Sequence, residues 1–98
     1  MRKIIIISTL GCASCKIVRE RMLKALRILG KEIDIEIIDF GKITKDYPYR
    51  KCIKDFPTTI FIRDNENVFS FTGTRPDIVL ARFIDFYLYD KDWGLKKD

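Results

Sequence analysis

The chain has 98 residues, 11.6 kDa and a net charge of +5, which is room for one domain and one core. Its Leu, Ile, Val and Phe residues number 33, well above the level of about 20% below which chains stay disordered, and 16 of them are isoleucine, which favours a core containing β-sheet. The absence of histidine excludes Ser-His-Asp and Cys-His catalysis and removes the usual ligands of catalytic zinc.

Ile4–Ile7 is a run of four β-branched residues closed by a Ser-Thr-Leu-Gly turn signal, the pattern of a strand buried on both faces. At four residues it is too short for a membrane span, and Met1–Gly11 is too short for a signal peptide. A cytoplasmic protein is therefore expected, with no membrane partner. A helix follows from about Ala13 to Leu29: at 100° per residue Val18, Met22, Ala25, Leu26 and Leu29 share one arc, with Cys15 at its edge. Lys16, Glu20, Lys24 and Arg27 fall on the far side, and Gly30 is positioned as a C-cap. Ile33-Asp34-Ile35-Glu36-Ile37 alternates with period two until Ile38. It is expected to pair parallel to the first strand, because a 17-residue helix joins them.

From Gly41 to Phe56 the composition is mixed, with a short helix expected from Pro48 to about Asp55. Thr58–Arg63 and Val68–Phe71 read as an antiparallel hairpin around a turn at 64–67. Thr74 is expected to cap a last helix with Pro76 in its first turn. On that helix Val79, Leu80, Phe83, Phe86 and Tyr87 form the apolar face. A charged, fraying tail is expected over 90–98. The order β-α-β-α-β-β-α describes one α/β domain spanning 1–98, a four-stranded mixed sheet with helices on both faces.

The charge is uneven. Residues 1–31 hold eight Lys or Arg against Glu20 alone, net +7, and the remaining 67 residues carry −2. No aromatic residue precedes Phe40, so the basic segment lacks the interleaved aromatics of a nucleic-acid binder. Its plain reading is a solvated helix face; its sharper one is a docking surface that steers acidic partners.

Cys12-Ala13-Ser14-Cys15 sits where the first strand meets the first helix, a specific context for a redox dithiol. Two intervening residues in a first helical turn bring the sulfurs within bonding reach. Cys12 faces the unpaired N–H groups and positive end of the helix dipole, with Lys16 and Arg19 about a turn away, and each of these favours the thiolate. Cys15 belongs to the buried stripe. Cys12 is thus the nucleophile and Cys15 the resolving thiol. The other readings are half a zinc site or an inert pair. Zinc requires about four ligands, and the chain supplies only Cys12, Cys15 and Cys52 as thiols, so no metal and no cofactor are expected. Cys52 reads best as a small buried hydrophobe.

These residues, with Phe56-Pro57-Thr58 opening the third strand and Gly73 before the last helix, resemble the thioredoxin/glutaredoxin superfamily over about Ile4–Tyr89. The resemblance implies a thioredoxin-like fold of strand order 2-1-3-4, with Pro57 in a cis peptide bond against the dithiol. Phe56 would then offer its backbone N–H and C=O to a substrate strand, and Gly11, Ala13, Ser14, Phe56, Pro57 and Gly73 would form the substrate contact. The minimal length is similar to glutaredoxins, but Asp55-Phe56-Pro57 and Thr72-Gly73-Thr74 depart from their Thr-Val-Pro and Gly-Gly patterns. Gly11 stands where thioredoxins carry Trp. Ile6 and Ile35 align with the buried Asp and Lys that assist the resolving thiol there. The implied function is a monomeric protein-disulfide oxidoreductase, with disulfide-containing proteins and a reductase or glutathione as partners. The alternatives are a glutathione-dependent reductase and a non-catalytic binding module.

Overall fold

The computed structural model describes residues 1–90. Its sheet contains β1 (Arg2–Ser8), β2 (Asp34–Asp39), β3 (Thr58–Arg63) and β4 (Glu66–Thr72) in the order β2-β1-β3-β4. β1 and β2 are parallel, whereas β1 with β3 and β3 with β4 are antiparallel. The expected strand order is therefore present.

The isoleucine run of β1 divides by the two-residue period of a strand. Ile4 and Ile6 enter one core with Phe61, Phe71 and the helices, while Ile5 and Ile7 enter a second core with Ile60 and Ile62 on the opposite face. All four are buried, which is why no polar residue interrupts the run.

The first helix, α1, spans Ala13–Leu29 and ends at Gly30, whose φ of 64° is left-handed. Gly30 and Lys31 donate to the carbonyls of Arg27 and Leu26, satisfying orphan acceptors of the last turn. Val18, Met22, Ala25 and Leu26 pack against Leu80, Ala81, Ile84 and Leu88 of the last helical segment.

Five expectations are corrected. No α-helix forms between Pro48 and Asp55: the segment 40–57 contains only 3-10 turns at Phe40–Lys42 and Arg50–Cys52. The second face of the sheet is accordingly covered by this loop, through Phe40, Ile43, Tyr47, Tyr49, Ile53 and Phe56, and not by a helix. On one continuous helix Phe40, Ile43 and Tyr47 would lie on the side opposite Tyr49, Ile53 and Phe56, so a coiling loop brings both sets onto the sheet where a single helix could not. The hairpin turn is tighter than four residues. Asp64 and Asn65 both take positive φ, which Asp and Asn tolerate in two-residue turns, and β4 begins at Glu66.

Thr74 does not cap the last helix. Pro76 precedes α2 (Asp77–Phe83) with no side-chain cap, and the Thr74 hydroxyl accepts from Arg21 Nη1 at 3.4 Å. Finally, α2 passes into a π-helix at Ile84–Leu88, which widens the turn. The fully buried stripe becomes Leu80, Ala81, Ile84 and Leu88. Phe83 and Tyr87 join an aromatic group in which Tyr87 stacks on Phe69 at 4.0 Å. The expected fraying tail lies, from 91 on, outside the described residues. Among the described residues no helix is long and apolar enough to cross a membrane.

Candidate active site

β1 ends at Ser8, and the chain reaches α1 through a short loop. Gly11 has φ of 78°, and a Cβ built on it would meet nothing within 4 Å; backbone conformation and not crowding therefore favours glycine there. The Cys12 N–H donates to the Thr9 carbonyl at 3.2 Å, closing the turn. Cys12 then occupies the N-cap position, and its side chain makes no capping hydrogen bond.

Cys12 and Cys15 form a disulfide with Cα atoms 5.4 Å apart. Cys15 is 8% exposed because its position on α1 turns it toward the core, whereas Cys12 is only half-buried. The first turn of α1 has no acidic side chain, so no carboxylate of that turn offsets the positive end of the helix.

A cleft of about 510 Å³ opens beside the dithiol. Gly11, Cys12, Ala13 and Cys15 line it, together with Leu10, Lys16, Arg19, Ile37 and Asp39. Ser14 is exposed but does not line it. Of these lining residues, Leu10, Ile37 and Asp39 had no sequence signal as site residues. Ile37 read as one more apolar position of an alternating strand, yet it is 45% exposed. The register places Ile37 opposite Ile6. The β2 residue beside Ile6 is thus Ile37 and not Ile35, which pairs with Ile4 and packs on the helix-side core.

Phe56, Pro57 and Gly73 form a second group. The Gly73 N–H donates to the Pro57 carbonyl at 2.9 Å, and the Phe56–Pro57 peptide bond is cis. Because Ile7 pairs with Thr58, Pro57 lies at the end of the sheet from which β1 leads into the Cys12 loop. The expectation of a freely offered Phe56 N–H is corrected: it donates to Asp55 Oδ1 at 2.8 Å. Asp55 immediately precedes it, and its carboxylate reaches the amide as a local turn. The Phe56 ring meets Phe40 edge-on at 5.1 Å.

Cys52 belongs to the loop-side core, and its sulfur accepts from Asn67 Nδ2 at 3.0 Å. Among the described residues no three His, Cys, Asp or Glu side chains cluster as metal ligands do.

No protein-family model matches the chain, and no curated protein matches it. Solved structures do. The chain is similar to a thioredoxin-2 described as a component of malaria parasite protein secretion machinery, at 20% identity over 87% of this chain and 82% of that one, TM-score 0.69. It is similar to thioredoxin f2 of Chlamydomonas reinhardtii, at 21% identity over 86% and 76% of the two chains, TM-score 0.64. Thioredoxin 1 of the thermophilic eubacterium Thermosipho africanus aligns at 24% identity over 90% and 96%, TM-score 0.67. Taken with the strand order and the Cys12–Cys15 pair at the start of α1, these likenesses establish that the chain has the thioredoxin fold.

Proposed function

We propose that the protein is a thiol–disulfide oxidoreductase acting on protein disulfides through Cys12 and Cys15. The observation that carries this reading is the asymmetry of the pair: Cys12 stands half-buried at the N-cap of α1 on an open cleft, and Cys15 is bonded to it from the buried side. The unpaired N–H groups and the dipole at a helix start favour a thiolate at Cys12.

In the reduced protein the Cys12 thiolate attacks one sulfur of a target disulfide. A Cys12–target disulfide forms, the target S–S bond breaks, and the second target sulfur leaves as a thiolate. The departing target thiolate or water takes the Cys15 proton. Cys15, now a thiolate, attacks the Cys12 sulfur and releases the target's other sulfur as a thiolate, which takes its proton from water. The target gains two electrons and two protons, and the protein becomes the disulfide form. Phe56, Pro57 and Gly73 serve as the edge on which a target strand lies, with the Asp55 carboxylate displaced from the Phe56 N–H.

A monomer in the cytosol, recharged by a reductase or by glutathione, completes this reading. It suits an odd number of cysteines, which does not favour a stapled secreted domain. The test is insulin reduction by the dithiothreitol-reduced protein. Turnover that disappears in Cys12→Ser is the expected result. No turnover by the wild type, or full turnover by Cys12→Ser, would leave the thioredoxin fold as a binding module.

A further inference from the structure

The cleft beside Cys12 has a chemical character that disulfide exchange alone does not require. Part of its lining is apolar: Leu10 is 97% exposed and Ile37 is 45% exposed, and both line it. Another part is basic. Lys16 and Arg19, three residues apart on α1 and both exposed, lie on the cleft, where residues i and i+3 of a helix are neighbours. One carboxylate opposes them, that of Asp39, and its Oδ1 accepts the Gly41 N–H at 3.0 Å. The cleft is therefore cationic on balance, and the start of α1 adds to that sign.

We propose that this cleft selects the target: it receives an acidic protein segment that carries a large apolar side chain next to the disulfide under attack. This rests on the oxidoreductase reading above and deepens it. Burying the target's apolar side chain against Leu10 and Ile37 removes two exposed hydrophobic surfaces from water. Carboxylates flanking it face Lys16 and Arg19. Phe56 and Pro57 do not line this cleft, so the Pro57 edge aligns the target backbone while the cleft reads its side chains.

The experiment uses three disulfides. Two are peptides of one sequence around an identical disulfide, one flanked by Leu and Glu and the other by Leu and Lys. The third is hydroxyethyl disulfide, which is uncharged. The reduced wild-type protein is expected to reduce the acidic peptide on the order of tenfold faster than the basic one at low ionic strength. The ratio should fall towards one in 1 M salt, where the Debye length is about 3 Å, and in the Lys16→Glu/Arg19→Glu variant. Taking the ratio within each protein cancels any change in Cys12 reactivity, because both peptides meet the same sulfur. Exchanging Leu for Ser in the acidic peptide should slow the wild type more than it slows Ile37→Ser.

Equal rates for the two peptides, or an acidic preference that survives the double substitution, would overturn the inference while leaving the oxidoreductase reading intact, provided hydroxyethyl disulfide is reduced. No reduction of hydroxyethyl disulfide would remove that reading, and this inference with it.

Discussion

Ile7 of β1 lies directly opposite Thr58 of β3, and this one pairing brings the Cys12 loop and the Phe56–Pro57 segment to the same end of the sheet. The chain beyond Ile7 leads through the loop to Cys12, and the residue before Thr58 is Pro57. Some 45 residues separate the two segments in sequence; the antiparallel ladder makes them neighbours. A slip of one residue would also turn Ile60 and Ile62 from the loop-side core to the helix side, so the packing of both cores holds the site in register.

Replacing the buried cysteine should arrest the reaction halfway. In Cys15→Ser the Cys12–target bond forms, but nothing within the protein displaces it. Incubation with a disulfide-containing protein should give a covalent one-to-one adduct that dithiothreitol releases, seen on a non-reducing gel and absent for Cys12→Ser. Equal adduct formation by both variants would reverse the assigned roles.

The three thiols of the reduced protein should differ in alkylation rate. Substoichiometric iodoacetamide at pH 7, followed by mass spectrometry, should label Cys12 first. Cys15 is 8% exposed and should react slowly. Cys52 packs among the apolar residues of the loop-side core and lacks the helix-end position that activates a thiol. Labelling that begins at Cys15 or Cys52 would contradict the asymmetry from which the mechanism is built.

Two substitutions probe the packing that holds α1 in place. Leu80→Ala empties a fully buried position in the core shared by α1 and α2 and should cost about 2–5 kcal/mol. Gly30→Ala should cost about 1–2 kcal/mol, through the left-handed φ of 64° and not through a clash, since a Cβ there meets nothing within 4 Å. Urea denaturation of the oxidised protein measures both, and a neutral Gly30→Ala would refute the conformational argument.

Alkaline pH should weaken the fold. Burial pushes the Tyr47 phenol up from its ordinary value of 10.0, with the charges of Glu36 and Tyr49 adding to it. A hydrogen bond to Glu36 raises Lys3 above 10.5. Each group keeps its proton more firmly folded than unfolded, so its contribution is complete below the unfolded pKa and is lost as pH rises through the folded one. The urea midpoint should hold to about pH 9 and fall from about pH 10 upward. Tyr47→Phe should make that fall shallower; an unchanged slope would show that the phenol is not part of it.

Much of the molecule was legible in local sequence. Ile4–Ile7 specified a doubly buried strand because four consecutive β-branched residues leave neither face for water. The apolar arc from Cys15 to Leu29 with Gly30 behind it specified α1, and the placement of Cys12 and Cys15 at its start followed from spacing alone. These are properties of neighbouring residues, which period and capping report directly. The tertiary structure decided the rest. Whether 40–57 coils or forms a helix depends on what the Ile5, Ile7, Ile60 and Ile62 face needs to cover it. Local propensity does not contain that requirement. The same holds for Ile37 and Asp39, which become part of the dithiol cleft because β2 pairs parallel to β1 in one register. A strand's alternation shows that two faces exist, but only its pairing partner determines which of its residues meet the Cys12 loop.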